Sequence, residues 1–389
     1  MREIYLDNSA TTPLSAVAKE KFLSVVTEGW GNPSSLHAVG LRASHILDEA
    51  RNALRTALGA RTGRVIFTGS GSEANNLLIF GRAYAKERYR RGARIITTHG
   101  EHASVAAPLA KLAGEGYDIV EIPTKNGVLD REALLAALTP NTILVTLMAV
   151  NNETGAAYDL SGLARLIKAK APDAILHTDA TQAFGKLPLS VASLGLDAIT
   201  VSAHKIGGPQ GCGALWITDN LQKTKGLAPV ILGGGQEDGY RSGTENLAGI
   251  AAFGAAAAFA ATHLAEHRSA IEKLGDYLLA RLAEDGALAE IRPNLPPVRA
   301  PHIYSLTLPH IKSETALHFL SARGIMVSSG SACSSHGRHG SPPLIAFGLS
   351  EKEADCTIRV SLSHENTKED IDALCEALAE ALRSLVRIR

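Results

Sequence analysis

Between residues 43 and 58, apolar side chains fall at Ala43, Ile46, Leu47, Ala50, Ala53, Leu54, Ala57 and Leu58, the spacing of one helix face. Gly59 follows, placed to end that helix. A short apolar run at Arg64–Thr68 comes next, then a Gly/Ser loop and a second helical stretch from Glu73. Further β-type runs occur at Arg94–Thr98, Tyr117–Ile122, Thr142–Val150, Ala174–Thr178, Ala198–Ser202 and Ala214–Ile217, several separated by helix-length segments. Continuous apolar runs alternating with helices predict an α/β fold with a largely parallel sheet covered on both faces. Such sheets bind ligands beyond the carboxyl ends of their strands, so the loops that follow those strands are where chemistry is expected.

The pattern changes after GGGQEDGYRSGTEN, residues 233–246. Two long helical stretches run to about Asp285, followed by the Pro-rich RPNLPPVRAP. Beyond it the pattern predicts a strand (Ile303–Leu308), a helix (Glu314–Ser321), a strand (Ile325–Ser328), a Ser/Gly loop, a strand (Thr357–Leu362) and a last helix. We expect a large domain over residues 15–258, and a smaller α+β domain made of residues 1–14 and 259–389.

Composition narrows the function classes. The 39 basic and 39 acidic side chains cancel, which argues against a broad electrostatic grip on nucleic acid or an anionic membrane. The most apolar long stretch, Leu247 to Ala261, is Ala- and Gly-rich and too short to span a bilayer. The first residues lack a signal-peptide pattern, and Cys212, Cys333, Cys356 and Cys375 have neither metal spacing nor the density of a disulfide framework. A cytoplasmic protein without a metal is the expectation.

Each loop carries its own candidate. In TGSGSEANN, Gly69 and Gly71 let backbone N–H groups approach an anion at a helix start. The same residues satisfy the G-x-G-x-x-A dinucleotide template, but that site wants an acid about 20 residues on, and Glu101 lies 30 beyond Gly71. A tight turn is the plain alternative. THGEHASV supplies His102, as an acid/base, a stacking ring or a cap. Asn151 and Asn152 leave the next strand in NNETG, which by itself could be a turn. Asp179 and Gln182 follow in ILHTDATQAFGK; an Asp there suits a pyridinium nitrogen, or an N-cap.

VSAHKIGGPQGCGALWI is the most informative segment. Lys205 leaves an apolar strand directly before a glycine turn, a costly place for an ammonium unless it is paired or used. Covalent attachment to a carbonyl cofactor is such a use. In GIMVSSGSACSSHGRHG, Cys333 stands in a loop of Ser, Gly, Ala and His that packs little, a setting for an exposed, reactive thiolate. Arg359, in TIRVSL, can grip a carboxylate with two nitrogens or serve a buried ion pair.

Taken together, the chain resembles the cysteine desulfurases of the NifS/IscS type, a branch of the class-V, fold-type I enzymes of pyridoxal 5′-phosphate (PLP). The matching stretches are YLDNSATTP, GNPSSLHAVG, FTGSGSEANN, EHASV, NNETG, HTDATQAFGK, SAHKIGGPQGCGAL, GGGQEDGYRSGTEN, SSGSACSS and IRVSL, in family order from residue 5 to about 362. The resemblance implies that Lys205 bears PLP and moves protons at the substrate Cα, and that Cys333 takes the sulfur of L-cysteine as a persulfide. It implies Asp179 at the pyridine nitrogen, Gln182 at the phenolic oxygen and His102 stacked on the ring. Gly71, Ser72, Ser202 and His204 would hold the phosphate, with Thr244 of a second subunit, so that a homodimer is implied. Asn152 and Arg359, with Asn32 a further candidate, would hold the substrate carboxylate. Asn152 is also expected to touch the cofactor.

The SSGSAC form resembles the subgroup with a longer, mobile cysteine loop. Gly71–Ser72 replaces a common Ala–Thr, Gln210 a frequent Lys, and the chain stops at RSLVRIR without the longer tail that engages an iron–sulfur scaffold in some relatives. The implied partner is a sulfur-acceptor protein such as that scaffold. A PLP aminotransferase would have no use for Cys333. A selenocysteine lyase, a nucleotide-binding oxidoreductase built on GSGSEA and a non-catalytic sulfur carrier compete with the desulfurase reading.

Overall fold

The computed structural model describes residues 2–284, 286–329 and 341–385. A short first strand, β1 (Ile4–Tyr5), precedes the main sheet. That sheet takes β2 (Arg64–Thr68), β3 (Arg94–Thr98), β4 (Asp118–Ile122), β5 (Thr142–Met148), β6 (Ile175–Asp179), β7 (Ala198–Ser202) and β8 (Gly213–Ile217), in the order β2-β8-β7-β6-β5-β3-β4. All its pairings are parallel except those of β8, which runs against both β2 and β7. The cause is local. Only a short turn joins β7 to β8, too little chain for a crossover back to the starting edge.

Alternation along the strands explains why the runs are apolar throughout. Ile96, Val145 and Leu176 enter the core on one face, and their neighbours Ile95, Leu144 and Ile175 enter the core on the other. Helices cover both. The expected 43–58 helix begins earlier, at Ala38, with the His37 ring accepting from the Gly40 amide. It ends as expected, with Gly59 at φ +64°. The second helix, Gly71–Tyr84, is capped by the Ser70 hydroxyl, which accepts from the Glu73 amide at 3.1 Å.

The helix Leu247–Thr262 packs against Ala16–Thr27 and Ala38–Ala57. Its small residues permit the approach: a Cβ on Gly254 would stand 2.7 Å from the Ala50 Cα. At His263 the chain turns by 71° into the helix Leu264–Glu284, so the direction changes there and residue 258 lies inside the first helix. Among the described residues no single helix is long and apolar enough to cross a membrane.

The remaining strands are β9 (Arg292–Pro293), β10 (Ile303–Thr307), β11 (Ile325–Met326), β12 (Ser328–Ser329) and β13 (Thr357–Ser361), with the sheet order β12-β13-β10-β9. The single strand expected over Ile325–Ser328 is divided at Val327, because its halves find different partners. β11 pairs with β1, and β12 with β13. Ile4 and Leu6 therefore share a core with Leu278, Tyr304, Val360 and Leu378.

Candidate active site

Four neighbouring strands of the main sheet deliver the chemistry at one edge. β3 leads to His102, β5 to Asn151 and Asn152, β6 ends on Asp179, and β7 ends on Ser202 with Lys205 in the turn beyond. The half-buried Lys205 amine donates to the carbonyls of Ser9 and Ala10, at 2.5 and 2.8 Å. Gln182 donates to the same Ser9 carbonyl at 2.9 Å, and the Ser9 amide donates to Ser361 Oγ at 2.8 Å. The N-terminal segment is thus wedged between the lysine and the small sheet. LDNSATTP belongs to the family resemblance, but sequence pattern alone assigns it no role.

Asp179 is buried. Its Oδ1 accepts from the Thr181 amide at 2.9 Å, and its Oδ2 accepts from Asn75 Nδ2 at 2.8 Å. Asn75 also donates to Ser104 Oγ at 2.9 Å, and Ser104 Oγ lies 2.8 Å from His102 Nδ1. His102 is also the cap of helix Ala103–Gly114, with Nδ1 accepting from the Ser104 amide at 3.1 Å. The imidazole is open to solvent on one side and crowded by protein elsewhere. That desolvation pulls its pKa below the ordinary value; Lys205 adds to the effect and Asp179 opposes it. Glu101, the acid considered for a ribose, is buried and accepts from Thr98 Oγ1 and the Met148 amide. Burial pushes its carboxyl up to about 8, which leaves it uncharged and turned inward.

At the helix Gly71–Tyr84, a Cβ on Gly71 would sit 3.3 Å from Thr181 Oγ1 and 3.4 Å from Ser202 Cβ, so the glycine and Ser202 face one another closely. Ser72 is exposed in the first turn. His204 Nδ1 pairs with Thr11 Oγ1 at 3.1 Å. Desolvation, then Lys205 and Lys186, push its pKa down to about 4, leaving a neutral ring.

Arg359 and Asn152 are brought together. Arg359 Nη1 donates to the Asn152 carbonyl at 2.9 Å, and Nη2 to Asp7 at 2.7 Å. Asn152 Oδ1, Gln182 Oε1 and Arg359 Nε are all buried without a hydrogen-bond partner among the described residues. Each such atom costs about 1–3 kcal/mol unless a bound molecule completes it. Next to Asn152, Glu153 accepts from Ser341 Oγ at 2.5 Å, and burial raises its carboxyl to about 7.

Two expected residues are not drawn in. Asn32 is exposed and accepts from the Ser34 amide at 2.9 Å. Thr244 is exposed and lines a depression with Gly69 and Arg241. Cys333 lies outside the described residues. The other three cysteines are buried, and burial pushes the Cys212 thiol up to about 11. Sequence reasoning gave no role to Asn75, Ser104, Asp7 or Glu153, although each stands within a stretch that carries the resemblance.

An α/β sheet with a lysine at one strand exit and an aspartate at the next is the frame of one enzyme family. Residues 4–374 match it, and the chain belongs to the aminotransferase class-V family. A cysteine desulfurase IscS of Methanosarcina thermophila is 35% identical over 388 residues, covering 99% of this chain and 93% of that one. A solved NifS-like protein superposes with a TM-score of 0.90 at 32% identity, over 99% of this chain and all of the other. SspA, solved in complex with cysteine, follows with a TM-score of 0.79 and 29% identity over 94% of this chain and 100% of its own. Within the family, the chain stands with the NifS/IscS cysteine desulfurases.

Proposed function

We propose that this chain is a PLP-dependent cysteine desulfurase that converts L-cysteine to L-alanine and keeps the sulfur on Cys333. The observation that carries the reading is the Lys205 amine, held on two carbonyls at a strand exit, together with buried polar atoms of Gln182, Asn152 and Arg359 that have no partner among the described residues. Arg359 Nε is a donor that suits a carboxylate, and the Asn152 and Gln182 oxygens are acceptors that suit an N–H such as that of an amino group. Lys205 would bear the cofactor, with Asp179 at the pyridine nitrogen, Gln182 at the phenolic oxygen, and Gly71, Ser72, Ser202 and His204 around the phosphate. Bound there, PLP supplies an electron sink that acidifies the Cα proton and weakens the Cβ–S bond.

The residues divide the work. Arg359 Nε and the Asn152 amide hold the substrate carboxylate. Lys205 takes the Cα proton and returns a proton when the product forms, with His102 as the second acid/base. The Cys333 thiolate bonds to the substrate sulfur as the Cβ–S bond breaks; that electron pair stays with carbon, which takes a proton to become the methyl of alanine. A thiolate is needed, since a thiol is a poor nucleophile. The high pKa and burial of Cys212 favour Cys333 for this step.

Trp30, Leu36 and Leu232 are 62%, 94% and 78% exposed, apolar side chains that would be covered by a second copy in a homodimer. In that dimer Thr244, and Asn32 if it contributes, would complete the site. The persulfide would pass to an acceptor protein such as an iron–sulfur scaffold, in the cytoplasm. We assign residues 15–258 to the PLP-binding domain, and residues 1–14 and 259–389 to the domain that carries Cys333.

The test is chemical. Borohydride should fix a yellow chromophore to the Lys205 peptide. Cysteine should add one reductant-labile sulfur to the Cys333 peptide, and Cys333→Ser should keep the chromophore while losing alanine and sulfide production. Alanine formation by Cys333→Ser at the wild-type rate would end this reading.

A further inference from the structure

Asp179 and His102 come from different strands, yet one unbroken chain of hydrogen bonds joins them. Asn75 sits at its centre, wholly buried in the first turns of helix Gly71–Tyr84. One amide proton goes to Asp179 Oδ2 at 2.8 Å and the other to Ser104 Oγ at 2.9 Å. The direction of the amide follows from charge. Rotated by half a turn, Asn75 would press its carbonyl oxygen against the carboxylate, so an ionised Asp179 keeps the nitrogen towards itself. Asn75 Oδ1 is left buried with no donor among the described residues, the sign of an orientation imposed by its neighbours.

The polarity then passes outwards. Ser104 Oγ receives a proton from Asn75, so its own proton is free for His102 Nδ1 at 2.8 Å. The Ser104 backbone N–H, at 3.1 Å, also points at Nδ1. Two donors on one ring nitrogen leave no room for a proton there. The ring proton must sit on Nε2, the nitrogen away from the chain.

We propose that Asn75 and Ser104 are positioning residues that carry the charge of Asp179 to His102, fixing the resting imidazole as the Nε2-protonated tautomer with Nδ1 as an acceptor. This deepens the reading of His102 and Asp179 given above. It makes Nε2 the nitrogen through which the neutral ring donates a hydrogen bond; the ring can give up a proton only after Nδ1 has taken one, with the Ser104 hydroxyl turned to accept. It also means that the aspartate assigned to the cofactor orders the ring nearby. Neutralising Asp179 frees Asn75 to rotate; the Ser104 hydroxyl then donates to Asn75 Oδ1, and Nδ1 keeps only the backbone donor.

The test uses protein labelled with ¹⁵N-histidine, with His102 assigned by loss of its signals in His102→Gln. Spectra are read on the purified enzyme and again after the cofactor is removed, so that the readout does not depend on turnover. Nδ1 should resonate as an unprotonated acceptor and Nε2 should carry the proton. Ser104→Ala and Asp179→Asn should each move the Nδ1 resonance in the same direction, and Asp179→Asn should add much less in a Ser104→Ala background. Ser104 is only half-buried and the backbone cap survives its truncation, so that variant should fold; Asn75→Leu is the harsher second probe. A proton on Nδ1 in the wild type, or an undiminished effect of Asp179→Asn once Ser104 is alanine, overturns the proposal. Failure of the desulfurase reading would appear elsewhere, as loss of the Lys205-bound chromophore or of sulfur on Cys333.

Discussion

Arg359 donates to the main-chain carbonyl of Asn152 at 2.9 Å, which fastens β13 of the small sheet to the exit of β5 in the large one. The second terminal nitrogen holds Asp7 at 2.7 Å, while the buried Nε has no acceptor among the described residues. One guanidinium ties the two sheets and is, in the proposed function, also the seat of the substrate carboxylate.

A lysine cannot fill both offices, because its single ammonium lacks the planar fork. Arg359→Lys should therefore keep the chromophore but raise the KM for cysteine about tenfold or more, the equivalent of one charge-assisted hydrogen bond. Initial rates of alanine formation across a range of cysteine concentrations give the answer. An unchanged KM would remove Arg359 from substrate binding.

Asp179→Asn retains the shape but not the charge beneath the proposed cofactor. Loss of roughly 1.5–3 kcal/mol should slow turnover by about one to two decades. Turnover at the wild-type rate would show that the carboxylate is not needed.

Two glycines at the loop proposed to hold the phosphate should differ sharply. A methyl on Gly71 meets neighbours at 3.3 and 3.4 Å, which a shift of a few tenths of an ångström relieves. One on Gly213 would stand 2.3 Å from the Ser70 carbonyl carbon and 2.7 Å from the Gly71 nitrogen, both backbone atoms. Gly71→Ala should bind PLP within a few-fold of wild type, whereas Gly213→Ala should bind it much more weakly and melt several degrees lower. Equal PLP affinities by titration would contradict this geometry.

Glu101 predicts a pH dependence of stability. Its carboxyl rises from 4.5 to about 8, chiefly through burial, so the folded protein holds a proton that the unfolded chain releases. Stability from this group is complete below the unfolded pKa and drains away as the pH rises through the folded one, an effect of the order of a few kcal/mol. Glu101→Gln stays neutral throughout. The variant should lose less stability than wild type between pH 5 and 8, as read by denaturant unfolding, and parallel curves would refute the assignment.

Much of the frame was legible because the strands are apolar on both faces. Runs such as Thr142–Met148 leave little choice of element once helices lie between them. Lys205 and Asp179 stood out for a related reason: a charged group at the end of such a run is conspicuous. What escaped was whatever depended on chain closure. Asp7 lies 352 residues from Arg359 and Ser9 lies 196 from Lys205, and no periodicity connects such distances. Asn75 was hidden differently. It sits on a helix whose glycines had already drawn attention to the phosphate loop, and its polar purpose appears only once β6 lies beside it.

The wedge at Ser9 and Ala10 has a consequence for biosynthesis. Both carbonyls that hold Lys205 belong to the first ten residues, and the Ser9 amide is locked by the hydroxyl of Ser361. During translation the main sheet, complete by residue 217, can assemble while the lysine's cradle still lacks its keystone. At about 5–20 residues per second, β13 emerges many seconds after Lys205. A nascent chain halted before residue 361 should therefore have most of its large core and no settled place for the lysine amine.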